Sequence, residues 1–150
     1  MPVTTDRPIP LLVPPTHHHL HSLAVEVHRT YFAKYPPLPV RWGQQISRKR
    51  RRTIRLGSYN HHTAEVRIHP ILNAPQVPAF FIQSVIYHEY LHHVLGPKHN
   101  ARFHKHERHF RYHRESQEWL RRNLWILLGA KRVKRRVPIP IAQPVQSAFW

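Results

Sequence analysis

The chain has 150 residues, and its 24 lysines and arginines against seven acidic residues give a formal charge of +17 with all 16 histidines neutral. That length holds one ordinary hydrophobic core and excludes a second full domain, while so one-sided a charge repels itself and implies a polyanionic partner. No cysteine is present, which excludes disulfides, thiol nucleophiles and thiolate zinc ribbons and leaves His, Asp and Glu as metal ligands.

Residues 1–15 read as a proline-rich arm without the pattern of a secretory leader, and no segment has the apolar length of a membrane span. Together with the missing cysteines this points to the cytoplasm. Thr16 suits the N-cap of a helix reaching about Tyr35, with Leu20, Leu23, Ala24, Val27, Tyr31 and Phe32 as its buried stripe. His17, His18, His19 and His21 fall on its exposed first turn, and Pro36-Pro37 stops it. A strand starts within Leu38–Trp42, residues 47–52 form a basic loop, and Thr53 to Tyr59 alternates like a strand. After a turn at Asn60-His61-His62-Thr63, Glu65 to His69 alternates again, with Val66 and Ile68 on one face. The expected sheet is three-stranded and antiparallel.

Pro78 sits where the first turn of a helix tolerates proline, and Ala79 to Leu95 is apolar on nearly every side except at Gln83, Ser84 and a His/Glu cluster, so this helix should be central and buried. Gly96-Pro97 ends it. Asn100 can cap a following helix through Phe103, Phe110, Trp119, Leu120, Leu124 and Leu127, broken near His113 and ended by Gly129. Residues 130–150 read as a basic, proline-rich tail. The fold class is α+β, with the folded domain spanning 16–129.

The chemistry concentrates in His88-Glu89-Tyr90-Leu91-His92. His88 and His92, four apart on a helix, stand one turn above each other and can grip one metal ion. Glu89 is rotated about 100° from His88, too far for an equal ligand but close enough to take a proton from a water on the metal. Two neutral imidazoles, an open coordination position and a carboxylate base are the parts of zinc-assisted hydrolysis. Burying two histidines and a glutamate in an apolar helix is costly without a partner, and a metal supplies one. His99 is the preferred third ligand, because the Gly96-Pro97 turn reverses the chain and leaves enough length to swing back over the metal. His104, His106, His109, Glu107 and Glu115 are the rivals, whereas His93, adjacent to His92, points away. One zinc per chain is expected, with Glu89 as the catalytic residue. Tyr87, Tyr90 and Tyr112 are candidate oxyanion donors, helix-core packing being the default for the first two.

These residues resemble the SprT-like (Spartan-type) zinc metalloproteases. The similarity lies in the order of elements: an N-terminal helix, a small sheet with Leu56-Gly57-Ser58-Tyr59 and Glu65-Val66-Arg67-Ile68-His69-Pro70, then the helix with His88, Glu89 and His92. His99-Asn100-Ala101-Arg102-Phe103 is similar to the family's His-Gly-x-x-Phe segment, in which the His is the third zinc ligand and the Phe packs beneath it. Asn100 replaces the family's glycine, and one extra residue before Gly96 departs from the metzincin pattern. The resemblance covers about residues 17–128 and implies a minimal zincin-like domain, zinc endopeptidase activity, and substrates that are proteins attached to DNA.

Arg48, Lys49, Arg50, Arg51 and Arg52 form one basic cluster, and Lys131, Arg132, Lys134, Arg135 and Arg136 a second. Both suit contacts to the phosphates of DNA or RNA, with Trp42 near the first to stack on a base. The competing reading from another class is a basic nucleic-acid-binding protein whose metal site is structural or vestigial. It differs in coordination: a structural site closes with four protein ligands, a catalytic one keeps an open position.

Overall fold

Helix α2 (Ala79–Leu95) is the hub, since a helix apolar around its whole circumference must be covered on every side. In the computed structural model, which describes residues 17–44 and 54–128, that cover comes from α1 (Leu20–Tyr31), β2 (Gly57–Asn60), β3 (Glu65–Ile68), α3 (Ala101–Glu107) and α4 (His113–Leu127). Strand β1 (Val40–Trp42) and a 3-10 turn over Pro70–Leu72 complete the set. The α+β class stands. Thr16, the proline-rich arm, the loop cluster Arg48 to Arg52 and the tail cluster Lys131 to Arg136 lie outside the described residues. None of the described helices is long and apolar enough to cross a membrane.

Aromatic rings pin the outer helices to the hub. Phe32 stacks on Tyr90 with centroids 4.8 Å apart, Tyr31 meets Tyr87 edge-on at 5.0 Å, and Trp119 of α4 lies 4.4 Å from Phe81. Such pairs contribute about 0.5–1.5 kcal/mol each beyond the area they bury. Leu20, Ala24 and Val27 of the expected stripe are buried, and Leu23 and Tyr31 pack at its margin. The helix is shorter than its stripe suggested. It ends at Tyr31, where the Phe32 amide donates to the His28 carbonyl and the Tyr35 amide to that of Phe32. The residue before a proline is driven out of the helical region, and that unwinding reaches back through Tyr35.

The sheet order is β1-β3-β2. Strands β2 and β3 form the expected hairpin, with Tyr59 opposite Val66 and Gly57 opposite Ile68. Strand β1 corrects the expectation of an all-antiparallel sheet: it runs parallel to β3, Val40 opposite Val66 and Trp42 opposite Ile68. Alternation reports which face a side chain takes and carries no information on strand direction, whereas the short turn after Asn60 forces β2 and β3 to oppose each other. Val66 and Ile68 are both fully buried against α2. Trp42 is half-buried and packs against this core.

The last helical region is interrupted close to the expected place. Helix α3 begins with the Asn100 side chain accepting the Phe103 amide, and residues 108–112 separate it from α4. Phe110 fills the break and is buried against Tyr31 and Tyr87.

Candidate active site

Tautomers decide what the histidines of α2 can do. His88 holds its Nδ1 2.5 Å from Oε2 of Glu107, and His92 holds its Nδ1 3.0 Å from the Gly96 carbonyl. An ionised carboxylate and a carbonyl only accept, so both rings carry their proton on Nδ1 and a lone pair on Nε2. The two Nε2 atoms nevertheless face each other at 3.2 Å, and Nε2 of His99 lies 3.0 Å from that of His92. Lone pairs aimed at one another repel unless a cation sits between them. The edge of a tetrahedron with metal–nitrogen distances of about 2.0–2.1 Å is about 3.3 Å, close to these separations. All three ligand atoms lie within 4.8 Å of one another, and no fourth histidine or carboxylate joins them among the described residues.

Neighbouring elements hold the rings in place. Gly96 adopts φ +95°, ψ −176°, a conformation open essentially to glycine alone, which lets its amide donate to the His92 carbonyl while its own carbonyl receives His92 Nδ1. The reversal that follows brings His99 back over the helix. Phe103, fully buried on α3, forms the floor, its ring 4.9, 4.7 and 4.9 Å from those of His88, His92 and His99. One turn further along α3, Glu107 is buried and reaches His88. Burial pushes the His88 pKa down to about 4, against the raising influence of Glu107, while the hydrogen bond from His88 holds Glu107 below the usual carboxylate range despite burial. A neutral imidazole donating to an ionised carboxylate is the state both directions support. His88 is 2% exposed but His99 is open to solvent, so the cluster has a closed side at α3 and an accessible side at the turn.

Glu89 occupies the opposite flank, against β2. It is 1% exposed, and its Oε2 is buried without a hydrogen-bond partner. Burial raises its pKa to about 8, a shift the Arg55 charge partly opposes. Room for this carboxylate comes from Gly57: a Cβ there would stand 2.7 Å from Val85 Cγ1 and 3.0 Å from Glu89 Oε1. Gly57→Ala should therefore displace both side chains and cost about 1–3 kcal/mol in a denaturant melt, the range for overpacking a core. An unchanged midpoint would show that α2 and β2 can separate without penalty.

The structure brings together His88, His92 and His99, while the Glu89 side chain packs against Gly57. Of the rival third ligands, Glu107 meets His88 on the ring nitrogen remote from the cluster, and His104, His106, His109 and Glu115 are not part of it. His93 turns outward to the Tyr59 hydroxyl, 2.5 Å away. The tyrosines are committed elsewhere: Tyr87 donates to the His106 carbonyl, Tyr90 accepts the Leu38 amide, and Tyr112 is exposed beside Phe80. Sequence reasoning missed the orienting role of Glu107. Its signal was present, since Phe103 and Glu107 are four apart and so share the face of α3 that meets α2. Alternation marks Arg55 and Gly57 only as parts of a strand.

No protein-family model matches the sequence, and no curated protein matches it. Among solved structures, the chain is similar to the metallopeptidase zymogen jannalysin of Methanocaldococcus jannaschii, at 13% identity and a TM-score of 0.54, covering 79% of this chain and 98% of that one. At that identity the likeness establishes a shared fold: the described residues form a small α+β domain built like that of a metallopeptidase.

Proposed function

We propose that the protein is a zinc-dependent metalloendopeptidase of the SprT-like kind, with His88, His92 and His99 as ligands of one Zn²⁺ and Glu89 as its general base. The observation that carries this reading is the convergence of three imidazole lone pairs, on a helix whose Glu89 has a buried carboxylate oxygen, Oε2, without a partner. Bound there, Zn²⁺ supplies Lewis-acid polarisation of a carbonyl and acidification of water. Glu107 keeps the His88 lone pair aimed inward, as the Gly96 carbonyl does for His92. Glu89 Oε2 accepts a proton from the attacking water as the new C–O bond forms, then returns it to the amine nitrogen as the C–N bond breaks.

The test is stoichiometry. The purified protein should bind one zinc per chain, and His88→Ala, His92→Ala and His99→Ala should each lose it together with peptide cleavage. Full zinc content and activity in His99→Ala would remove that residue from the ligand set.

Action on DNA-bound proteins is the finer part of the proposal, and the described surface favours it. Lys98, Arg102, Lys105, Arg108, Arg111 and Arg114 are all exposed along the turn and helices that flank the cluster. Affinity for duplex DNA should fall steeply with salt and show little sequence preference, because counterion release dominates phosphate contacts. Weak binding even near 50 mM salt would leave the peptidase reading intact and remove the polyanion.

A further inference from the structure

Arg55 stands two residues before the edge strand β2, with its side chain exposed. Its Nε donates to the Gly57 carbonyl at 3.2 Å, so the guanidinium is tied to the residue that also makes room for Glu89. No other hydrogen bond or ion pair engages it among the described residues. Its positive charge is felt at Glu89, His92 and His99, lowering the pKa of each. His88 is influenced instead by Glu107 and by the other two histidines. The Glu107 carboxylate is buried against His88, whereas the Arg55 guanidinium is exposed and tied to Gly57, the residue that packs against Glu89.

We propose that Arg55 is the receptor for a substrate carboxylate next to the scissile bond, so that acidic peptides are the preferred substrate class. This rests on the peptidase reading above. A guanidinium offers a planar fork that matches a carboxylate through two parallel hydrogen bonds, and the tie to Gly57 orients that fork before anything binds. Oxyanion stabilisation, the other use of an arginine near a carbonyl, works in a site from which water is excluded, whereas Arg55 is exposed. Among the described residues no acidic group pairs with it, and an overall charge of +17 draws acidic peptides toward the protein. The carboxylate has two sources, an acidic side chain within the peptide or the α-carboxylate of a peptide end.

Three fluorescein-labelled octapeptides on a neutral background separate these sources. One carries a central Glu and a C-terminal amide, the second replaces Glu by Gln, and the third is the Gln peptide with an unblocked C-terminal carboxylate. Anisotropy with the metal-free protein reads binding, and cleavage by the zinc-loaded protein reads KM and kcat. The Glu peptide should bind about tenfold more tightly than the Gln peptide, the scale of a charge-assisted pair, with KM lower by a similar factor. Preference for the third peptide instead would assign the peptide end as source. Arg55→Gln should erase the preference, Arg55→Lys should keep part of it, and Arg29→Gln, the same charge loss at a remote exposed position, should leave it. A melt of each variant checks folding. Equal binding of all three peptides, or a preference that survives Arg55→Gln, overturns the assignment. So does a uniform loss of kcat with unchanged KM, which would make Arg55 an oxyanion stabiliser. If no peptide is cleaved but the carboxylate preference and its Arg55 dependence persist, the receptor stands and the peptidase reading fails.

Discussion

Glu89→Gln should lower kcat for peptide cleavage by a factor of about 10²–10⁴, the contribution of a positioned general base, while one Zn²⁺ per chain remains bound. The amide fills the same space between Val85 and Gly57 but cannot take up a proton at neutral pH, and none of the three imidazoles is touched. Metal content and turnover therefore separate in this variant, whereas they fall together in His92→Ala. Measuring zinc by elemental analysis beside a peptide-cleavage assay checks both quantities on one sample. A Glu89→Gln protein that cleaves at the normal rate would eliminate Glu89 as the base.

Removing the metal should destabilise the protein by a comparable margin. A ligand present at about 1,000 times its dissociation constant stabilises the native state by about 4 kcal/mol, if it does not bind the unfolded chain. For a domain of this size that corresponds to a melting shift on the order of 15 °C or more. The metal-free protein should then show a pH dependence that the buried groups dictate. Burial raises Glu89 to about 8, so its contribution is present below the unfolded value of about 4.5 and is lost as pH rises through 8. His88 is depressed to about 4, so its contribution is present above about 6.5 and is lost as pH falls toward 4. Between pH 4.5 and 6.5 the two oppose each other, and between 6.5 and 8 Glu89 acts alone. Metal-free wild type should lose about 2 kcal/mol over that upper interval, at 1.36 kcal/mol per pH unit. Metal-free Glu89→Gln should not, and its loss below pH 6.5 should be steeper than that of wild type. Parallel melting curves for the two proteins from pH 6.5 to 8 would contradict the burial argument.

The spacing of His88 and His92 made that part of the site legible, because a four-residue offset has one meaning on a helix and the apolar sequence around it leaves little doubt that a helix forms. The Gly96-Pro97 reversal made His99 a reasonable third partner, and the structure places it with them. Other features depend on distances between segments that periodicity cannot supply. Glu107 could be put on a helix, yet the histidine it faces follows from how α3 crosses α2. Arg55 sits on the outward face of an alternating stretch, where a cation looks like ordinary solvation until Gly57 and Glu89 are seen together. The direction of β1 was likewise hidden, since Val40, Arg41 and Trp42 alternate identically whichever way the strand runs.

The segment from His88 to Glu107 carries all three imidazoles, the Phe103 floor and the carboxylate that orients His88, whereas the surroundings of Glu89 come from a distant strand. Grip and reactivity consequently have separate inheritances. A helix, a glycine reversal and a second short helix could be lifted as one cassette into an unrelated helical scaffold and would bring the coordinating groups with them. Such a transplant would leave its glutamate in whatever medium the host provides, wet and acidic in the ordinary way unless a close-fitting glycine strand were supplied as well. Two chains with the same His-Glu-x-x-His helix could thus differ completely in hydrolytic power, the difference residing in a backbone that contributes no reactive atom.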